Sequence, residues 1–212
     1  LRSLHLNKFC CEKKNPDDFK CNTPYNSSSI RVIEALEGQL ITQELNRQLT
    51  STDGFIDSDI NQDVLKIAVV NRYSNEKPSI GFITNFGLKK GAIASTVAHD
   101  SHNIIAVGCD DASLCDAVNM LIEAKGGISA VGEGEKLIVR LPIAGLMTDD
   151  DGFEVARQYT HLDHFVKEKL HSTLQAPYMT LSFMALLVIP DLKLSDKGLF
   201  DGQKFEFVTL IK

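Results

Sequence analysis

The sequence predicts an α+β fold, in which a mixed β-sheet carries two main helices and is preceded by short strands of a small β-domain. Three features of the 212 residues support this prediction. Short apolar runs bounded by turn residues are typical of strands. Two longer segments have the apolar periodicity of helices. A Gly-x-Gly turn at 132–134 is expected to join two further strands into a hairpin.

The predicted strands are short and are separated by residues that favour turns. Glu37 and Gly38 are expected to turn the first hairpin, and residues 51–58 to form a loop. The turn at Gly132 excludes a dinucleotide fingerprint, because that motif must open a helix and this turn precedes a strand. The expected strands are 30–36, 39–44, 64–70, 80–86, 103–108, 128–131, 136–141 and 205–211.

Both predicted helices combine an acidic start with an apolar face. In the first helix, Asp110 or Asp111 is expected to cap the N-terminus and Gly126 to close the C-terminus. The second helix starts after three aspartates, where negative charge suits the helix dipole. The expected apolar faces are Leu114, Ala117, Val118, Leu121 and Ile122 in the first helix, and Phe153, Ala156, Tyr159, Leu162, Phe165, Val166 and Leu170 in the second.

Three segments are expected along the chain. Residues 1–29 are predicted to be an irregular polar segment, 30–78 a short-strand β segment, and 79–212 an α+β domain. Residues 1–6 have the apolar pattern of a strand interior, and the chain does not begin with methionine. The sequence is therefore expected to be a piece of a longer protein.

Composition excludes several classes of function. The net charge is -6 and there is no block of basic residues, which argues against a nucleic-acid partner. No apolar run approaches the ~20 residues of a membrane span. The five cysteines have irregular spacing and form no Cys-x-x-Cys pair, so we expect reduced thiols, a cytoplasmic protein and no structural zinc site.

A cluster of polar residues stands out at positions 99–103, after a glycine-rich stretch of low charge. Such groups must find partners when they are buried, so the cluster indicates a site or the wall of one. A metal site would need further ligands, and adjacent Ser, His and Asp rarely meet in triad geometry. A wall that orients a polar ligand and a satisfied structural turn are the favoured alternatives. The cluster comprises His99, Asp100, Ser101, His102 and Asn103.

Several long motifs, in one order, resemble the C-terminal region of bacterial adenine deaminases of the amidohydrolase superfamily. One of them is Val97-Ala98-His99-Asp100-Ser101-His102-Asn103. The resemblance runs from about residue 30 to the end of the chain. One departure is Arg72-Tyr73, where family members usually carry Arg-His. The other matching motifs are 31–33, 38–42, 81–83, 87–95, 142–147, 179–183 and 188–208.

The resemblance implies a parent protein that converts adenine and water to hypoxanthine and ammonia. In that family a metal centre, with Mn, Fe or Zn, lies in an N-terminal (β/α)-barrel and activates the water. Such a barrel needs ~250 residues, so it is absent from this chain, which is expected to bind no metal itself and to be inactive alone. The implied partners are the barrel, adenine and further copies of the protein.

The resemblance leaves the role of this region open. As the C-terminal part of a deaminase, it would contribute packing, oligomer contacts or the rim of the active site. The alternatives are a non-catalytic module that binds a small polar ligand or regulates, and a free-standing hydrolase that uses His99, Asp100 and His102. Phe86, Lys89 and Arg72 are further candidates for contact with a ligand.

Overall fold

A computed structural model describes residues 7–212, so the strand expected at 1–6 lies outside the described residues. The described part is an α+β structure with a mixed sheet, as predicted. Its strands are β1 Cys21–Asn22, β2 Ser27–Ala35, β3 Thr42–Thr52, β4 Phe55–Ile56, β5 Leu65–Val70, β6 Ser79–Thr84, β7 Ala92–Ser95, β8 Ile104–Gly108, β9 Gly127–Gly132, β10 Glu135–Arg140, β11 Leu192–Ser195, β12 Gly198–Asp201 and β13 Glu206–Val208. Its α-helices are α1 Asp111–Ala124, α2 Gly152–Glu168 and α3 Pro177–Phe183, and a 3₁₀ helix spans Pro16–Phe19.

The strands form two sheets. Ten of them join in the order β1-β4-β3-β2-β6-β5-β8-β7-β9-β10, and the others form the small sheet β11-β12-β13. Only the β2–β6 pair is parallel among the pairs of residues 7–212, and the remaining pairs are antiparallel. Strands on both sides of residues 78 and 79 share the large sheet, so the predicted domain boundary there stays a prediction.

Both faces of the central sheet are covered, which explains why β5, β7 and β8 are buried along their whole length. Because side chains alternate along a strand, Ala68 and Val70 face α1, whereas Ile67 and Val69 face α2, α3 and the small sheet. The two hydrophobic clusters therefore lie on opposite faces of one sheet. This arrangement makes three layers, with the sheet in the middle.

The helix termini follow the sequence closely. Asp110 caps α1, and its carboxylate accepts a hydrogen bond of 2.7 Å from the Ser113 amide. Gly126 donates its amide to the Leu121 carbonyl, although the residue in the left-handed conformation is Lys125, with φ 56°. Asp151 caps α2 by accepting from the amides of Phe153 and Glu154.

The apolar face of α2 is only half buried, which corrects the prediction. Leu162, Phe165 and Val166 are in the core, but Phe153 is 88% exposed and Tyr159 38% exposed. Val155, in the first turn, packs against the core, whereas Phe153 lies nine residues before Leu162 and therefore on roughly the opposite side of the helix.

Three further expectations fail in detail. The polar segment before residue 29 is not only a surface loop, because Phe19 is fully buried and β2 already begins at Ser27. The expected loop at 51–58 contains the end of β3 and all of β4. Strand β7 was not predicted, since its small residues lack the β-branched pattern of a strand.

Gly91 shows why the stretch before β7 is rich in glycine. Its φ is +70°, and a Cβ atom there would overlap the Val131 carbonyl oxygen and approach Leu170. Gly134 has a similar φ of +76° but nothing within 4 Å of the same position. We predict that Gly134→Ala lowers the free energy of unfolding by roughly 1 kcal/mol, through backbone strain alone.

Gly91→Ala should cost at least about 1 kcal/mol more than Gly134→Ala, because it adds a clash with the backbone of β9. Urea unfolding of the two variants of this chain measures the difference. Equal losses would contradict a tight contact between Gly91 and β9.

Candidate functional site

The polar cluster lies in the loop 96–103, which connects β7 to β8 at one end of the large sheet. We call this segment the histidine loop. Asp100 and Ser101 are exposed, His99 and His102 are half-buried, and Asn103 is buried. Four of the five predicted residues are therefore accessible, whereas Asn103 belongs to the support of the loop.

The backbone of the histidine loop is held by hydrogen bonds at several points. The His99 amide donates to the Ser182 carbonyl of α3 at 2.9 Å, and the His102 amide donates to the Ala98 carbonyl at 2.7 Å. The buried Asn103 side chain accepts from the Arg72 amide at 3.2 Å. His102 has a φ of +52°, in the left-handed region, which these contacts hold in place.

The two imidazole rings lie together against an aromatic side chain. The His99 ring stacks on Phe183, with centroids 4.9 Å apart, and meets the His102 ring edge-on at 5.5 Å. Burial, the neighbouring His99 and the Arg72 guanidinium lower the pKa of the His102 imidazole. A neutral imidazole can accept one hydrogen bond and donate another. The buried Nδ1 of His102 has no partner among residues 7–212, so this capacity is not used up within the domain.

Arg72 and Tyr73, which follow β5, hold the histidine loop in place, and we call these two residues the clamp. The guanidinium of Arg72, which is only 4% exposed, donates to the Ala144 carbonyl at 2.8 Å and to the Tyr73 hydroxyl at 2.9 Å. That hydroxyl in turn donates to the Ser101 carbonyl at 2.8 Å. The guanidinium also lies over the rings of Tyr73 and Phe9, at 4.8 and 5.5 Å. Arg72 thus connects the histidine loop to the segment around Ala144.

A second support was not predicted from the sequence. The buried hydroxyl of Thr96 donates to the Gly145 carbonyl at 2.5 Å and accepts from the Gly127 amide at 2.8 Å. Gly145 has a φ of +73° and lies against the Arg72 guanidinium, where a side chain would not fit. The motif 142–147 is part of the resemblance, but its residue types do not predict the contacts of Gly145 with Thr96 and Arg72.

Two of the candidate ligand contacts lie elsewhere. Phe86 is fully buried in the core, and Lys89 donates to the Ile60 carbonyl. Both precede β7, whereas the histidine loop follows it, so they lie at opposite ends of a central sheet whose strands are roughly 15–20 Å long. Arg72 is at the correct end, but its side chain is engaged by Ala144 and Tyr73. A single small ligand cannot contact all the predicted residues.

The histidine loop does not form a metal centre by itself. Within residues 7–212, no three His, Cys, Asp or Glu side chains converge in a way that could hold a metal ion. His99 and His102 supply two imidazoles without a third ligand, and metal sites in proteins need three or four. Residues 7–212 therefore do not fit the metal that the resemblance implies.

The geometry suits a surface that contacts a polar partner. Two imidazoles, an exposed carboxylate and an exposed hydroxyl project from a backbone fixed by β5, α3 and the segment around Ala144. Because the backbone is already fixed, little further backbone entropy is lost when these side chains form hydrogen bonds.

Comparison with known proteins identifies the family. The profile of the family described as "Adenine deaminase C-terminal domain" matches residues 39–206, and the chain belongs to this family. A protein of Sulfurovum sp. (strain NBC37-1) named adenine deaminase is 59% identical over 177 residues, which are 84% of this chain and 32% of that protein. One of the same name from Salinibacter ruber is 51% identical over 204 residues, 96% of this chain and 37% of that protein.

An archaeal relative extends the comparison. The adenine deaminase of Methanothermobacter thermautotrophicus is 49% identical over 187 residues, 88% of this chain and 35% of that protein. The chain thus spans about a third of the length of these curated relatives. No helix in residues 7–212 has the length and apolar character to cross a membrane.

The Tyr73 hydroxyl should matter for stability although the ring is 36% exposed. We predict that Tyr73→Phe lowers the free energy of unfolding by about 1–2 kcal/mol, because it removes one partner from the Arg72 guanidinium and one from the Ser101 carbonyl. Tyr25→Phe is the control, since Tyr25 is 59% exposed and no contact of its hydroxyl is found among the described residues. Losses of the same size in both variants, measured by urea unfolding, would contradict the role of the clamp.

Proposed function

We propose that this chain is the C-terminal domain of an adenine deaminase, and that its histidine loop forms part of the rim of that enzyme's active site. The reaction would be hydrolysis of adenine to hypoxanthine and ammonia, in purine salvage. The relatives that carry the name adenine deaminase support the reaction. The catalytic metal, which we expect to be manganese, iron or zinc, would be held by residues outside this chain.

The accessible pair of imidazoles is the observation that carries the rim role. His99 and His102 are half-buried beside the exposed Asp100 and Ser101, and no hydrogen bond of either ring is found among residues 7–212. Polar rings without partners in the domain can bind a ligand or a neighbouring domain. The lowered pKa favours the neutral form of His102, and a neutral ring can hydrogen-bond a purine or a loop beside it. His99, stacked on Phe183, lies next to the His102 ring, with centroids 5.5 Å apart.

Three finer expectations belong to the same proposal. We expect the protein to be cytoplasmic, in agreement with five cysteines that are all free. We also expect the deaminase to be a homo-oligomer, with this domain contributing contacts. The non-catalytic module that binds a small ligand remains the alternative, and it would use the same histidine loop.

The rim role predicts a kinetic defect without unfolding. In the full-length protein, His99→Ala and His102→Ala should each lower kcat/KM for adenine about tenfold or more, which is about 1.4 kcal/mol of transition-state stabilisation. The melting temperature should change little, because neither imidazole forms the hydrogen bonds that anchor the loop. Steady-state kinetics and thermal unfolding of the same samples measure both effects.

His164→Ala is the matched control, since His164 is exposed on α2. It should leave kcat/KM unchanged. If the His99 and His102 variants also keep normal kinetics, or lose activity only in step with unfolding, the cluster is a structural turn and the rim role is wrong.

If the chain were a free-standing hydrolase, it would deaminate adenine without the rest of the protein. We expect the 212 residues alone to release no ammonia from adenine when Mn, Fe or Zn is added, because no metal-binding group is found in the part of the chain that the structure describes. An ammonia-release assay with the full-length enzyme as positive control tests this. Turnover at enzyme-like rates that is lost in His99→Ala would favour the hydrolase.

A further inference from the structure

An apolar groove lies directly beside the histidine loop. It has a volume of about 270 Å³ and runs between the end of β7, the β9–β10 hairpin, α2 and α3. Val97, two residues before His99, forms part of its wall. The other apolar lining side chains are Ile128, Leu141, Tyr159, Tyr178 and Met179.

The groove is open to solvent where α2 and α3 line it. Met179 of α3 is 60% exposed and Tyr159 of α2 is 38% exposed. Exposed apolar side chains that lie together, rather than singly, mark a surface that contacts another protein surface.

The chain enters the domain next to this groove. The side-chain amide of Asn7 donates to the Pro142 carbonyl at 3.1 Å, and Pro142 follows the groove residue Leu141. Phe9 then lies over the Arg72 guanidinium, and the Cys10 amide donates to the Arg72 carbonyl. Asn7, the first residue that the structure describes, therefore lies beside the groove.

We propose that the groove is the docking site for the N-terminal part of the same polypeptide, and that an apolar side chain of that part fills it. The proposal rests on the proposed function, because the preceding part would be the catalytic domain of a deaminase. The relatives have about two-thirds of their length outside the region that this chain matches. The domain family's own description places the matching region at the C-terminal end of such proteins.

Two physical arguments favour this occupant over a second copy of the chain. A domain of the same polypeptide has a higher effective concentration at the groove than a separate molecule, on the order of millimolar for a short linker. In addition, the Ser182 carbonyl beside the groove accepts the His99 amide, so a domain seated there touches the base of the histidine loop. Docking at this point would place the loop against the neighbouring domain.

Site-specific photo-cross-linking in the full-length protein tests the proposal. We would replace Met179 with p-benzoylphenylalanine and identify the cross-linked peptides by mass spectrometry. Phe207 is the control position, since it is 52% exposed on β13 in the small sheet and does not line the groove. We expect Met179 to cross-link within one molecule to a peptide that precedes Leu1, with a yield on the order of tenfold or more above that from Phe207.

Three results would overturn the proposal. These are a cross-link from Met179 to a second copy, seen as a doubled mass, no cross-link from Met179 at all, and equal yields from Met179 and Phe207. Adenine deamination by the unmodified full-length protein is assayed separately. A correct cross-link without deamination would support docking and reject the proposed function, whereas deamination without the cross-link would do the reverse.

Discussion

The buried guanidinium of Arg72 is the constraint on which this end of the molecule depends. A desolvated positive charge must be surrounded by acceptors, and within residues 7–212 Arg72 forms no ion pair with a carboxylate. Its partners are instead the Ala144 carbonyl, the Tyr73 hydroxyl and two aromatic rings. Because those partners come from three separate segments of the chain, one side chain fixes the position of all three.

The fold was largely predictable, since alternation and helical periodicity are local properties of the sequence. Periodicity gave β5, β8 and α1, and the capping role of Asp110 followed from its residue type alone. The predicted apolar face of α2 was too wide, because Phe153 lies roughly opposite Leu162 around the helix and is 88% exposed. Strand β7 was missed, since its small residues are explained only by the helix and strands packed on both sides.

The residues of the candidate site were predictable, but the contacts that hold them in place were not. The density of polar groups at 99–103 singled out the histidine loop, whereas Phe86 and Lys89 fell at the other end of the sheet. Thr96 and Gly145 look ordinary in the sequence, yet both support the loop through contacts with residues 30 or more positions away. The role of Tyr73 was not predictable either, because it depends on the hydrogen bond from its hydroxyl to the Ser101 carbonyl.

The clamp and the groove lie at the same end of the protein, together with the histidine loop. The chain enters at Asn7 and Phe9, passes Arg72, and leaves the groove and the histidine loop exposed side by side. An apolar surface gains free energy when it is covered, whereas imidazole and carboxylate groups gain it from polar partners. A neighbouring domain that covers the groove would therefore meet the polar loop at the edge of the same interface. In that arrangement the apolar contact supplies the affinity, and the rigid loop positions its histidines without loss of further entropy.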